Sequence, residues 1–264
     1  MSKRIRKTFE NKKKKLVTFT TGGDPDLETS LEILNTIISN GIDIIEIGMP
    51  FSDPMADGPT IQESSVRSIA SGTKINDIFE IVKKVRELNN EIPIILMGYY
   101  NSIFNMGIKK FTSKCAEVGV DGLIIVDLQP EEDSELYNET KEKNIDLIRL
   151  ITPTTDEDRL NTILNTASGF LYYVTITGIT GQNSANVENL RKSIMTIKSS
   201  TNLPIVAGFG IKNRKDVEKI SIFTDGVVVG SSIVNIIKNN LHNKNKLITE
   251  IDEFIKDLKK GVEQ

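Results

Sequence analysis

Eight short runs of apolar and β-branched residues recur along the whole 264-residue chain, and they constrain its fold more than any other feature. The runs begin at Leu16, Ile42, Ile92, Gly122, Asp146, Gly169, Leu203 and Gly226. Each run is almost continuously apolar rather than alternating, which is typical of strands covered on both faces and therefore of a parallel sheet. The runs predict the central strands of an α/β protein.

Segments with helical spacing of apolar residues lie between these runs, for example at 26–41, 75–90, 108–120 and 131–144. Strand and helix therefore alternate without a break in composition, which predicts a single domain over residues 1–264. An open doubly wound sheet has the same alternation, but eight units favour a (β/α)8 barrel.

The interval after the second run is unusually long, because about fifty residues separate Ile42 from Ile92. The second strand is expected to end at Glu46 to Gly48, and a Pro- and Gly-rich loop then leads into a helix near Thr60. Loops that follow the carboxyl ends of barrel strands build the active site. We therefore expect an enlarged loop and helix insertion after strand 2 at the active site.

Charge and composition exclude several classes of protein. The formal net charge of −3 gives no overall attraction to nucleic acid or to an anionic membrane, so a small molecule or another protein is the expected partner. The single cysteine, Cys115, cannot form an internal disulfide, and no apolar run approaches the roughly 20 residues of a membrane span. A cytoplasmic location is expected. Residues 1–15 are basic and predict a solvated first helix or arm, with a targeting or nucleic-acid arm as the alternative.

Acids at the end of the second strand are candidates for catalysis. Glu46 lies inside an apolar strand, where desolvation raises a carboxyl pKa and suits it to proton transfer. The alternative is a strand-end glutamate that bridges to a backbone amide or a lysine. Asp57 and Asp53 lie in turn sequences and are ambiguous when each is considered alone. Two acids at the same end of a barrel could have different roles, one transferring a proton and the other stabilising positive charge.

Three glycine-containing loops follow the last three predicted strands: TGITG at 177–181, GFGI at 208–211 and GSS at 230–232. Glycines let backbone amides approach an anion, and a helix that begins at Ser231 favours phosphate at its amino terminus. Tight βα turns would explain one such loop but explain three poorly. The pattern therefore predicts a phosphate site.

Other residue patterns narrow the chemistry. The only histidine, His242, lies in a polar segment, and no Cys/His cluster accompanies it, so a zinc or iron site is not expected. No lysine lies inside the eight runs, which disfavours a Schiff-base aldolase. Tyr172 and Tyr173 are adjacent in a strand, so one of them should point into the barrel, either to hold a substrate hydroxyl or as a packed aromatic. Of the reaction types considered, acid/base chemistry on a phosphorylated substrate is the one that these residue patterns favour.

The chain resembles the tryptophan synthase α subunit family in motifs that follow the family's order and cover essentially the whole sequence. These motifs are TGGDPD at 21–26, EIGMPFSDPMADGPTIQ at 46–62, GYYNSIFNMGI at 98–108, DGLIIVDLQPEE at 121–132, YYVTITGITG at 172–181, and GFGI with VVVGSSIV. The motif at 46–62 is highly specific, and the glycine-rich motifs are less so. The resemblance implies a (β/α)8 barrel and retro-aldol cleavage of indole-3-glycerol phosphate to indole and glyceraldehyde 3-phosphate.

The resemblance also implies roles for individual residues. It places the catalytic glutamate at Glu46, the indole-binding aspartate at Asp57 and a tyrosine for a substrate hydroxyl at Tyr172. It further places phosphate contacts at Gly181, Gly210, Gly230 and Ser231, and apolar substrate contacts at Phe19, Ile61, Tyr99, Ile124 and Phe209.

The expected partner is a tryptophan synthase β subunit, in an αββα heterotetramer to which indole passes. Pyridoxal phosphate is expected only in that partner, and no cofactor or metal is expected in this chain. The sequence differs from the family's motif at one position that lies toward the partner, because Gln129 stands where the family usually has proline. There are three alternatives. They are a stand-alone indole-producing lyase, a phosphate-binding isomerase or epimerase barrel, and a barrel that serves only as an allosteric partner.

Overall fold

The computed structural model describes residues 1–174, 184–208 and 210–263, without the side chains of residues 184–187. Its strands coincide with the eight apolar runs. They are β1 Lys15–Thr21, β2 Ile44–Gly48, β3 Ile94–Gly98, β4 Gly122–Ile125, β5 Asp146–Leu147, β6 Arg149–Ile151, β7 Leu171–Val174, β8 Ile205–Gly208 and β9 Gly226–Val229.

The strands form one parallel sheet in the order β5-β4-β3-β2-β1-β9-β8-β7-β6. Its two ends, β5 and β6, are separated only by Ile148, so they are two pieces of one strand and the order runs around a barrel. The break occurs where this strand changes neighbours, because Leu147 pairs with β4 whereas Arg149 pairs with β7. The predicted (β/α)8 barrel is confirmed.

Helices cover the outside of the barrel, and the first and last elements of the chain are also helices. They are α1 Lys3–Glu10, α2 Leu27–Ser39, α3 Pro59–Ala70, α4 Ile75–Leu88, α5 Tyr100–Met106, α6 Ile108–Val118, α7 Ser134–Glu142, α8 Glu157–Leu164, α9 Ser184–Ser200, α10 Arg214–Ser221, α11 Ser231–Asn239 and α12 Lys244–Lys259. A 3-10 turn spans Pro130–Glu132. Two helices, α3 and α4, fill the long interval after β2, which confirms the predicted insertion.

Two apolar layers result from the alternation of side chains along the strands. The inner layer fills the barrel with Val17, Ile44, Ile95, Ile124, Ile148, Phe170, Val206 and Val228. The outer layer packs the opposite faces of the strands against the helices. Tyr173 belongs to this outer layer and Tyr172 packs against the inner one, as the alternation predicted.

Helix α1 closes the amino-terminal end of the barrel. Ile5 is fully buried in the inner layer, and the Ser2 amide and hydroxyl donate to Asp146 and Asp121 beneath β5 and β4. Residues 3–10 of the basic segment form a helix in which Lys3, Arg6, Lys7 and Glu10 are exposed while Ile5 is buried. Ile5 and Phe9 anchor this charged helix, because Ile5 lies in the inner layer and the Phe9 ring packs on that of Phe170, with centroids 5.8 Å apart.

The third strand is shorter than its apolar run. The run from Ile92 extended through Tyr100, but β3 ends at Gly98 and Tyr100 is the first residue of α5. The Tyr100 amide donates to Asp127 Oδ1 at 2.8 Å, which turns the chain out of the sheet. Aromatic residues are common in strands, so the run alone did not reveal this turn.

Candidate active site

Glu46 points into the barrel from β2, on the same side of the strand as Ile44. It lies beside Phe19 on β1 and Ile95 on β3, and none of its surface is exposed. Neither carboxyl oxygen has a hydrogen-bond partner among the described residues, so the alternative of a bridging glutamate finds no support there. Burial raises the pKa of Glu46 to about 8, so the carboxyl is mostly protonated at neutral pH.

A cavity of about 220 Å3 opens at the carboxyl ends of the strands. Its walls are formed by Phe19, Ala56, Asp57, Gly58, Ile61, Met97, Tyr172, Val174, Gly208, Gly210, Ile211, Val228, Gly230 and Ser231. A smaller recess of about 20 Å3 shares Phe19, Asp57, Ile61 and Met97 with it and continues toward Tyr99. Apolar walls with a few polar groups are typical of a small-molecule site.

Asp57 reaches this cavity from the loop between β2 and α3. Its amide donates to the Pro54 carbonyl at 3.0 Å, so the turn suggested by the sequence is present as well. Its Oδ2 accepts a hydrogen bond of 3.0 Å from the Tyr99 hydroxyl. Burial raises the carboxyl pKa, and the hydrogen bond from Tyr99 opposes that rise. Asp53 is exposed and accepts a hydrogen bond from the Ser52 hydroxyl.

Tyr172 lines the same cavity from β7. The pKa of its hydroxyl lies well above the ordinary value, first because of burial and then because of the charges of Glu46 and Asp57. The hydroxyl is therefore a permanent proton donor near both carboxyls. Gly208 on β8 leaves room for it, since a Cβ atom at that position would lie 2.6 Å from the Tyr172 hydroxyl oxygen.

Residues of the predicted phosphate site meet at one side of the cavity. Gly210 has a φ of +56°, which favours glycine, and Gly230 precedes Ser231, the first residue of α11. All three line the cavity, where the first amides of α11 are available to an anion. Gly181 and Phe209, the other predicted contacts at this end, lie outside the described residues.

The remaining predicted residues divide between the cavity and the layer below it. Phe19 and Ile61 line the cavity, and Tyr99 lines the recess. Ile124 is fully buried in the inner layer of the barrel. Among the described residues, no group of three or more His, Cys, Asp or Glu side chains is placed to hold a metal ion.

Sequence reasoning did not single out five residues of the cavity wall that lie in or beside its quoted motifs: Ala56, Gly58, Val174, Gly208 and Ile211. It also missed Met97 and Val228. Each lies on the inward face of a predicted strand near its carboxyl end, so strand alternation carried a signal for both. They escaped notice because an apolar residue in an apolar run does not stand out.

The family described as tryptophan synthase alpha chain matches residues 5–263 of this chain. The chain belongs to the tryptophan synthase alpha chain family. It is a lyase that cleaves indole-3-glycerol phosphate to indole and glyceraldehyde 3-phosphate in tryptophan biosynthesis, and membership of the family implies a tryptophan synthase beta subunit as partner.

Individual relatives agree with this membership over their full lengths. The tryptophan synthase alpha chain of Zymomonas mobilis is 43% identical over 98% of this chain and 96% of its own length. That of Geotalea daltonii is 45% identical over 98% of both. The crystal structure of tryptophan synthase subunit alpha from Legionella pneumophila is 33% identical and superposes with a TM-score of 0.92, covering 100% of this chain and 99% of that one. The described part of the chain has no helix that is long and apolar enough to cross a membrane.

Proposed function

We propose that Glu46 is the general acid and base of this lyase and that Asp57 stabilises the positive charge that develops on the indole ring. The observation that carries the proposal is the state of Glu46, a buried carboxyl without a hydrogen-bond partner among the described residues and with a pKa of about 8. A carboxyl that is protonated at neutral pH has a proton to give. Two carboxyls in different environments are typical of sites that need one acid and one charged group.

The reaction follows from these two groups. Indole is a poor leaving group as a carbanion, so the ring carbon that bears the side chain must first be protonated, which Glu46 does. The resulting positive charge is shared with the ring nitrogen, and Asp57 accepts a hydrogen bond from that N–H and stabilises the charge. The ionised Glu46 then takes the proton of the adjacent glycerol hydroxyl. The C–C bond breaks, its electrons return to the ring, the hydroxyl carbon becomes the aldehyde, and Glu46 is protonated again.

Glu46 is not part of the cavity wall but lies beside the wall residue Phe19, and the wall residues hold the substrate. The Tyr172 hydroxyl donates to a hydroxyl of the glycerol chain, and the apolar walls, to which Phe19, Ile61 and Met97 contribute, enclose the indole ring. The resemblance adds Ile124, Tyr99 and Phe209 to the apolar contacts. Gly210, Gly230 and Ser231, together with Gly181, bind the phosphate through backbone amides and the amino terminus of α11.

The partner proposed for this chain is a beta subunit in an αββα heterotetramer, with pyridoxal phosphate only in the beta subunit. Two large apolar side chains support a partner surface at the carboxyl end of the barrel, because Met55 is 84% exposed and Phe104 67% exposed in segments that follow β2 and β3. Gln129 has a φ of −76°, which proline would also adopt, so the family's usual backbone course remains accessible. We propose that the assembly acts in the cytoplasm.

The test is indole release from indole-3-glycerol phosphate by the purified chain, alone and with a tryptophan synthase beta subunit. We expect strong stimulation by the beta subunit, and a loss of at least a hundredfold in kcat for both Glu46→Gln and Asp57→Asn. Asp53→Asn, a change to an exposed acid of the same loop, is the matched control and should retain the wild-type rate in the assay of the chain alone. Wild-type cleavage by the Glu46→Gln variant would overturn the assigned roles.

A further inference from the structure

Tyr99 contacts the active-site loop at both of its ends. It follows β3 directly, and only 3% of its surface is exposed. Its ring stacks on that of Phe51 with centroids 5.1 Å apart, near the start of the loop. At the other end, its hydroxyl accepts a hydrogen bond of 3.0 Å from the Ala56 amide and donates one of 3.0 Å to Asp57 Oδ2.

These contacts determine which oxygen of Asp57 remains available. Oδ2 is occupied by the Tyr99 hydroxyl, whereas Oδ1 accepts no hydrogen bond from the described residues. A hydroxyl that already accepts from the Ala56 amide has its proton directed away from that amide, toward the carboxylate. One oxygen of Asp57 is therefore anchored and the other is left for an N–H donor in the cavity.

We propose that Tyr99 is a positioning residue for indole recognition, because its hydroxyl orients the Asp57 carboxylate and fixes the end of the loop that carries it. This role differs from an apolar contact with the substrate, and it rests on the proposed function of Asp57. The hydroxyl acts through Asp57 and does not touch the reacting carbon.

The charges around Asp57 give this role a pH signature. Tyr99 faces Asp57 from the residue after β3, Tyr172 faces it from β7, and Glu46 on β2 lies close enough to act on the same Tyr172 hydroxyl. Burial and the charges of Asp57 and Asp127 raise the pKa of Tyr99 above its ordinary value, so its hydroxyl remains a donor throughout the working range. Loss of this donor removes a hydrogen bond that holds the pKa of Asp57 down against burial.

The experiment measures kcat and KM for indole release against pH in the complex with a beta subunit. It compares the wild type, Tyr99→Phe, Asp57→Asn and the double variant. The phenylalanine ring keeps the stacking on Phe51, so the fold should be retained. We expect Tyr99→Phe to lower kcat/KM roughly tenfold to a hundredfold, the effect of one hydrogen bond to a charged group, and to move the acidic limb of the profile to higher pH.

The double variant separates positioning from simple packing. If the Tyr99 hydroxyl acts through Asp57, its removal from the Asp57→Asn enzyme changes kcat/KM by less than about twofold. An equal loss in both backgrounds, or an unmoved acidic limb in Tyr99→Phe, would overturn the proposal. If Asp57→Asn itself were as active as the wild type, the proposed function would fail instead, which is a distinguishable result.

Tyr100→Phe is the matched control. Tyr100 is the neighbouring tyrosine, and no hydrogen bond of its hydroxyl is present among the described residues, while its ring packs against Phe104 outside the cavity. Removal of this hydroxyl should leave kcat/KM and the acidic limb unchanged. A loss equal to that of Tyr99→Phe would contradict the proposal, because it would show that any hydroxyl at this strand end has the same effect.

Discussion

At the scale of single residues, Glu46 and Asp57 differ in what surrounds them. Glu46 is enclosed in the barrel without a hydrogen-bond partner among the described residues, whereas Asp57 is partly exposed and accepts a hydrogen bond from Tyr99. Burial raises the pKa of both carboxyls, and only for Asp57 does a hydrogen bond oppose it. The different surroundings of the two carboxyls therefore favour a protonated Glu46 and an ionised Asp57, although both residues come from one strand and the loop that follows it.

The protonation of Glu46 should appear in stability measurements. Between its ordinary pKa of 4.5 and its folded-state pKa of about 8, the folded chain keeps a proton that the unfolded chain has released. Stability falls with rising pH wherever the folded state binds more protons, and Glu46→Gln removes this dependence. The free energy of unfolding of the variant relative to the wild type should rise by roughly 3–5 kcal/mol between pH 4 and pH 9, measured by urea titration. A difference that does not change with pH would show that Glu46 is already ionised in the fold.

The burial of Glu46 could be predicted from the sequence for a simple reason. A charged residue inside an apolar strand is buried whatever the details of the fold, so desolvation follows from the local sequence alone. The contact between Tyr99 and Asp57 joins residues 42 positions apart in sequence. Nothing local indicates it, because it depends on how the loop after β2 folds back over the end of β3.

At the scale of secondary-structure elements, helix α3 is attached to the barrel by polar contacts. Arg67 donates two hydrogen bonds, of 2.7 and 2.8 Å, to the carboxylate of Asp24, and the Ser68 hydroxyl donates to the Gly22 carbonyl at 2.6 Å. Asp24 is almost fully buried. These contacts fix the helix that follows Asp57 to the loop after β1, so they help set the position of the active-site loop.

Arg67→Ala should therefore destabilise the chain strongly. It leaves the Asp24 carboxylate buried without its cation, and we expect the free energy of unfolding to fall by about 3 kcal/mol. The exposed pair of Arg6 and Glu10 provides a control, since Arg6→Ala should cost less than about 0.5 kcal/mol. Addition of Asp24→Asn should recover part of the Arg67→Ala loss. Similar losses for the two arginines, measured by thermal and urea unfolding, would contradict this account.

Element boundaries were harder to predict than element types. The apolar run from Ile92 predicted the third strand correctly, but it included Tyr99 and Tyr100, which leave the sheet. What ends β3 is a hydrogen bond from the Tyr100 amide to Asp127, a residue beyond the next strand. Composition and periodicity contain no information on a partner so distant in sequence.

At the scale of the whole molecule, the barrel separates stability from chemistry. The cavity lies at the carboxyl ends of the strands, and α1 closes the amino-terminal end. The inner layer of strand side chains lies between these two ends. Changes at the closed end should therefore alter stability without altering the cleavage reaction.

Ile5→Ala tests this separation. Ile5 is fully buried in the inner layer, so its truncation should lower the free energy of unfolding by about 2–4 kcal/mol. Indole release below the unfolding temperature should keep its wild-type kcat. Leu88→Ala, at a leucine that is 56% exposed, should change stability by less than about 0.5 kcal/mol. A large fall in kcat for Ile5→Ala would show that the two ends of the barrel are coupled.

The central claim is that a buried, protonated Glu46 supplies the proton for cleavage, and a direct titration of its carboxyl tests it best. The chain would be labelled with glutamate enriched in 13C at the carboxyl carbon, and the Glu46 signal identified by its absence from Glu46→Gln. We expect this signal to titrate with a midpoint of about pH 8, whereas the pKa values of the exposed Glu63 and Glu91 lie below the ordinary value because of their hydrogen bonds with Lys238 and Lys7. A midpoint for Glu46 near 4.5 would mean that the carboxyl is ionised at neutral pH, and it would contradict the account.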